Sequence, residues 1–115
     1  MKATDYLQGV AEVIDRYDAL LLDQWGVLHD GVQPYAGAVD CLERLRAAGK
    51  TVVILSNSGR SGEENARFLV RMGIDRGLFG EVVSAGDDAR DAILNPDGTR
   101  ADYVPKADSI SVARL

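Results

Sequence analysis

Apolar positions along the chain fall into short blocks of alternating character. Residues 5–16 place Leu7, Val10, Ala11, Val13 and Ile14 at helical spacings and predict a first helix. Residues 18–22 form a short apolar run ending at Asp23, as in a strand buried on both faces. Gly26, Gly31 and the Asp30-Gly31 pair make residues 24–33 a structured loop. Pro34 then precedes a helical stretch through Ala48, with Ala38, Val39, Cys41, Leu42 and Leu45 on one apolar stripe. Gly49 is placed to end that helix in the left-handed conformation. Residues 51–55, β-branched and apolar, give the clearest strand. Ser61 and Glu64 read as a capping box opening a helix with Ala66, Phe68, Leu69 and Met72, closed by Gly73. A third strand is expected at 81–84, and a short helix from Gly86 or Asp87 to Leu94. The turn Asn95-Pro96-Asp97-Gly98 follows, and no periodicity holds from Thr99 to Leu115.

Helices and strands thus alternate, with crossovers of about 30 residues. The pattern predicts an α/β fold: a three-layer, Rossmann-like parallel sheet with helices on both faces and right-handed connections. Residues 1–94 form the partial α/β core and 95–115 an irregular C-terminal tail. Ligands of such sheets sit beyond the carboxyl ends of the strands. Asp23, Ser56 and Ser84 occupy those ends. Adjacent strands lie about 4.8 Å apart. If the first two are neighbours, the Asp23 carboxylate and the Ser56 hydroxyl face one small ligand. The loop Asn57-Ser58-Gly59-Arg60-Ser61-Gly62 follows, offering backbone N–H groups and a helix start to an anion.

Composition narrows the classes. The chain has 115 residues, 46% of them hydrophobic, which suits one domain with one core. Its net charge of −5, spread over both halves, argues against a nucleic-acid partner. The single cysteine excludes an internal disulfide framework, and Cys41 is expected to be packed and inert. No apolar leader opens the sequence and no run approaches a membrane span, so a cytoplasmic, soluble protein is expected. Gly49-Lys50-Thr51 lacks the leading glycine of a P-loop and precedes a strand, and no G-x-G-x-x-G follows the first strand. His29 is expected to be a solvated turn residue.

The segment Leu20-Leu21-Leu22-Asp23-Gln24-Trp25-Gly26-Val27-Leu28 resembles motif I of the haloacid dehalogenase (HAD) superfamily, an apolar strand followed by Asp-x-Asp-Gly. Val52-Val53-Ile54-Leu55-Ser56-Asn57-Ser58 resembles motif II, a strand ending in Ser or Thr. The similarity is closest to the class IIA branch of p-nitrophenyl-phosphatase-like and pyridoxal-phosphatase-like enzymes. A subgroup of that branch carries Trp in place of the second Asp with His a little further on, as Trp25 and His29 stand here. The resemblance covers about residues 17–94. It implies hydrolysis of a small phosphorylated metabolite, with Asp23 as nucleophile forming an aspartyl-phosphate. It implies phosphate contacts from Ser56, Asn57, Gly26 and Ser58. It also implies Mg²⁺ held by Asp23 and the backbone carbonyl of Trp25.

Two departures qualify what the resemblance implies. The second Asp of motif I, the general acid and base, is Trp25 here, and an indole N–H has no useful acidity. Motif III, a Lys or Arg, and motif IV, an acidic pair, have no counterpart: Lys106 lies in the irregular tail, and Asp87-Asp88 comes directly after the third strand, where it suits a helix start. A truncated HAD core is therefore expected, with the metal site incomplete. The alternative is a non-catalytic remnant that binds phosphate or protein, or a half-enzyme completed by another chain. A three-stranded sheet alone leaves an edge and an apolar face uncovered, so a homodimer, a disordered tail or both are expected.

Overall fold

A computed structural model describes residues 7–94. Three parallel strands form one sheet: β1 (Ala19–Leu22), β2 (Thr51–Ser56) and β3 (Val82–Ser84), in the order β1-β2-β3. Leu22 lies level with Ile54, and Ser56 with Ser84. Helix α1 (Ala38–Ala47) joins β1 to β2, α2 (Gly62–Arg71) joins β2 to β3, and α3 (Ala85–Leu94) follows β3. The parallel α/β core expected from the alternation is present. The irregular tail proposed for 95–115 lies outside the described residues.

The sheet has two unlike faces. Val52, Ile54 and Val82 point into one buried cluster with Leu42 and Leu45 of α1 and Ala66 and Leu69 of α2. Both helices therefore lie on the same side, as two right-handed crossovers taken in the same direction must. Alternate residues point the other way, and Leu21 (70% exposed), Leu55 (51%) and Val83 (46%) are open on that face. Among the described residues no helix is long and apolar enough to cross a membrane.

Local chemistry explains most element ends. Gly49 has φ +73°, and the N–H groups of Gly49 and Lys50 close α1 onto Arg46 O and Leu45 O. Helix α1 begins four residues after Pro34, because Gly37 at φ +83° breaks the helical path and forms its N-cap. At α2 both halves of the capping box are made: Ser61 Oγ accepts Glu64 N–H, and the Glu64 carboxylate accepts Ser61 N–H.

Of the first helix expected at 5–16, the described part from residue 7 on is instead two 3-10 turns, Val10–Glu12 and Ile14–Arg16. Gly9 precedes them without a side-chain cap, and neither turn buries a residue. Ile14 packs at the edge of the core and Val13 is half-buried, while Leu7, Val10 and Ala11 stay exposed, and so short a segment with one contact gains too little to hold an α-helix.

Candidate active site

The carboxyl ends of β1 and β2 carry Asp23 and Ser56 on one rim of the sheet. Continuing the register two residues past Leu22 and Ile54 puts Gln24 level with Ser56. Asp23 is exposed at this rim, and its Oδ1 accepts the Gln24 N–H at 2.8 Å. Gln24 turns inward and is fully buried (0% exposed). The residue touching Ser56 from β1 is therefore Gln24.

Gln24 is the hub of a buried polar network. Its Nε2 donates to Ser56 Oγ and to Asn65 Oδ1, both at 2.8 Å. Its Oε1 lies 3.3 Å from His29 Nε2. Asn65 Nδ2 donates on to Ser61 O at 2.9 Å, tying α2 to the loop before it. No buried side-chain nitrogen or oxygen among the described residues lacks a partner. A satisfied network of this kind fixes side chains, whereas a broken one is costly in the same low dielectric. Neither Gln24 nor Asn65 stands out in the sequence. The available signal was alternation: Leu20, Leu22 and Gln24 share one side of the strand path, so Gln24 is an inward amide that must find partners.

The loop after β1 folds around the Gln24 main chain, whose carbonyl accepts Val27 N–H at 3.2 Å and Leu28 N–H at 2.8 Å. Gly26 N–H donates to His29 O at 2.9 Å and Ser58 N–H to Ser56 Oγ at 3.2 Å. The resemblance implies both as phosphate contacts. In this structure Gly26 closes the turn, and Ser58 N–H holds the Ser56 side chain. Asn57 follows Ser56 at the same rim. The start of α2 is likewise engaged by protein groups, since Gly62 N–H donates to Asp87 Oδ2 at 2.6 Å.

His29 is fully buried, not solvated. Its Nδ1 accepts Gly31 N–H at 3.0 Å. Burial lowers its pKa below 6.5, against the pull of Asp30 and Asp23. Trp25 meets the His29 ring edge-on at 5.0 Å and stacks on Phe68 at 6.3 Å, while staying 55% exposed. Gly31, at φ +95°, lies close against this indole, and a Cβ there would run into the ring. Trp25 thus packs its loop onto α2 from the position where the resemblance expects an acid. Among the described residues no three His, Cys, Asp or Glu side chains gather to hold a metal, and Asp23 is the one carboxylate at the β1 end.

Residues 20–109 match the family model described as haloacid dehalogenase-like hydrolase. The chain belongs to this family. Among relatives of this HAD-like chain, chronophin of Bos taurus is 34% identical over 107 residues, covering 87% of this chain and 36% of chronophin. The 4-nitrophenylphosphatase of Schizosaccharomyces pombe is 38% identical over 53 residues, 46% of this chain and 18% of that enzyme. A crystal structure of a haloacid dehalogenase-like family hydrolase from Brucella suis 1330 superposes with TM-score 0.69 at 29% identity, over 84% of this chain and 43% of the other. The HAD-like chain therefore spans about a third of chronophin and less than half of the Brucella hydrolase.

Proposed function

We propose that the chain carries the nucleophile-bearing part of a HAD-type phosphohydrolase acting on small phosphate monoesters. The observation that carries this reading is Asp23 and Ser56 on one rim of neighbouring parallel strands, in a chain of this family. Asp23 is exposed and one hydrogen bond from its own strand end, so it is free to attack phosphorus. The Asp23–phosphorus bond forms as the ester P–O bond breaks. Ser56 donates a hydrogen bond to a phosphoryl oxygen as charge shifts. Water then cleaves the aspartyl-phosphate, releasing inorganic phosphate and restoring Asp23. Trp25 gives the leaving oxygen no proton, so esters with good leaving groups, such as nitrophenols, react fastest.

Mg²⁺, when bound, would neutralise phosphoryl charge, with Asp23 and the Trp25 carbonyl among its ligands. One carboxylate does not make a self-contained site, so the described residues alone do not fit the ion, and no step above depends on it.

The test is p-nitrophenyl phosphate turnover by the full chain with and without Mg²⁺, repeated with Asp23→Asn. Loss of turnover by about 10³-fold or more supports the nucleophile. Unchanged turnover removes it. Trp25 favours a second reading, a phosphate-binding module without hydrolysis. Phosphate binding with no turnover at any Mg²⁺ concentration would select that reading.

A further inference from the structure

The direction of every hydrogen bond around Gln24 is dictated from the two ends of its network. At one end Asn65 Nδ2 faces two main-chain carbonyls, Ser61 O at 2.9 Å and Arg60 O at 3.4 Å. Carbonyls only accept, so the Asn65 amide is oriented and its Oδ1 is an acceptor. Gln24 must then present Nε2 to it, which leaves Gln24 Oε1 facing His29. At the other end Gly31 N–H donates to His29 Nδ1. A ring nitrogen that accepts carries no hydrogen, so the neutral ring keeps its proton on Nε2, the nitrogen that meets Gln24 Oε1. The hydrogen-bond directions set at Asn65 and at His29 therefore meet consistently at the Gln24 amide.

The second Nε2 hydrogen of Gln24 goes to Ser56 Oγ, which also accepts Ser58 N–H. A hydroxyl has two lone pairs and one hydrogen. Both lone pairs of Ser56 are occupied, and the hydrogen alone is left for a ligand. Gln24, His29, Asn65 and Ser56 are all buried.

We propose that Gln24 is a positioning residue that makes Ser56 an obligate hydrogen-bond donor, which matches the rim to an anionic phosphoryl oxygen. Gln24 touches no reacting atom and acts through Ser56. The proposal rests on the phosphohydrolase reading for the identity of the acceptor. It goes beyond that reading in giving the serine its polarity and naming the residue that sets it.

The test uses the full chain. Side-chain ¹⁵N NMR reads the His29 tautomer and the Gln24 amide. Turnover of p-nitrophenyl phosphate and affinity for inorganic phosphate are then compared in Ser56→Ala, Gln24→Met, Gln24→Glu and the double variant Gln24→Met/Ser56→Ala. The expected ring is protonated on Nε2, with a slowly exchanging Gln24 amide. Ser56→Ala and Gln24→Met each lower turnover by about 10²-fold, and the double variant is no worse than Ser56→Ala. Gln24→Glu keeps the shape but offers Ser56 an acceptor. It turns the hydroxyl hydrogen inward and gives the same loss, which keeps the test open should Gln24→Met fail to fold.

An Nδ1-protonated His29 overturns the assigned polarity. Losses that multiply in the double variant of an active chain overturn the positioning role alone and leave the phosphohydrolase reading standing. A wild-type chain with the expected NMR signals that neither turns over the ester nor binds phosphate refutes the phosphohydrolase reading, and the donor role with it.

Discussion

Neutrality of the His29 ring is a condition of the site, because Gly31 N–H points at Nδ1 and a protonated ring would set two donors against each other. Its folded pKa lies below 6.5, with burial the largest cause. Between the folded pKa and 6.5 the unfolded chain therefore binds more protons than the folded one. Stability from this residue is complete above about pH 6.5 and is lost as pH falls toward the folded pKa. Asp30 follows the same direction at lower pH, since the N–H groups of Gln33 and Val32 hold its carboxylate below 3.8. Urea denaturation should give a midpoint clearly lower at about pH 5 than at about pH 7.5. His29→Phe should flatten that difference and cost about 1–3 kcal/mol, because Gln24 Oε1 and Gly31 N–H lose their partner. A pH response unchanged in His29→Phe would mean that other groups carry it.

Helix α2 is held at its start by groups near and far in sequence. Ser61 and Glu64 close the capping box three residues apart, and Asp87 reaches Gly62 N–H from α3. Ser61→Ala should cost about 1 kcal/mol and Asp87→Asn about 1–2 kcal/mol, read from thermal or urea unfolding. A larger cost for Ser61→Ala than for Asp87→Asn would reverse that order. The contrast between these two contacts explains which features the sequence made readable. The capping box, the strand at Thr51–Ser56 and the glycine ends of both helices arise from neighbours within a few residues. Two of the partners of the Gln24 side chain lie 32 and 41 residues away and that of Asp87 lies 25 away, so no local pattern reports them. The expectation of a solvated His29 fails for a similar reason. Its burial comes from Gln24, Trp25 and Phe68, and Phe68 joins only once α2 packs beside the loop. The first helix fails in the opposite direction, since its local period is helical but only Ile14 reaches the core, while Leu7, Val10 and Ala11 stay exposed.

The sheet's asymmetry makes adjacent residues of β2 unequal. Ile54 is wholly enclosed between α1 and α2, whereas Leu55 points to the open face with Leu21 and Val83. Ile54→Ala removes buried methyl groups and leaves a cavity, so it should cost about 2–5 kcal/mol. Leu55→Ala removes a side chain already half in water and should cost less than about 1 kcal/mol. The two substitutions are similar in chemistry and adjacent on one strand, so secondary-structure propensity cannot explain a large difference between them. Equilibrium unfolding of both variants at low protein concentration measures that difference. Comparable costs would mean that polypeptide covers the face of Leu21, Leu55 and Val83 in solution. Repeating the pair at rising concentration then identifies its source. A Leu55→Ala cost that grows with concentration places a second copy of the chain on that face. A cost that stays high at every concentration places the cover within the same chain.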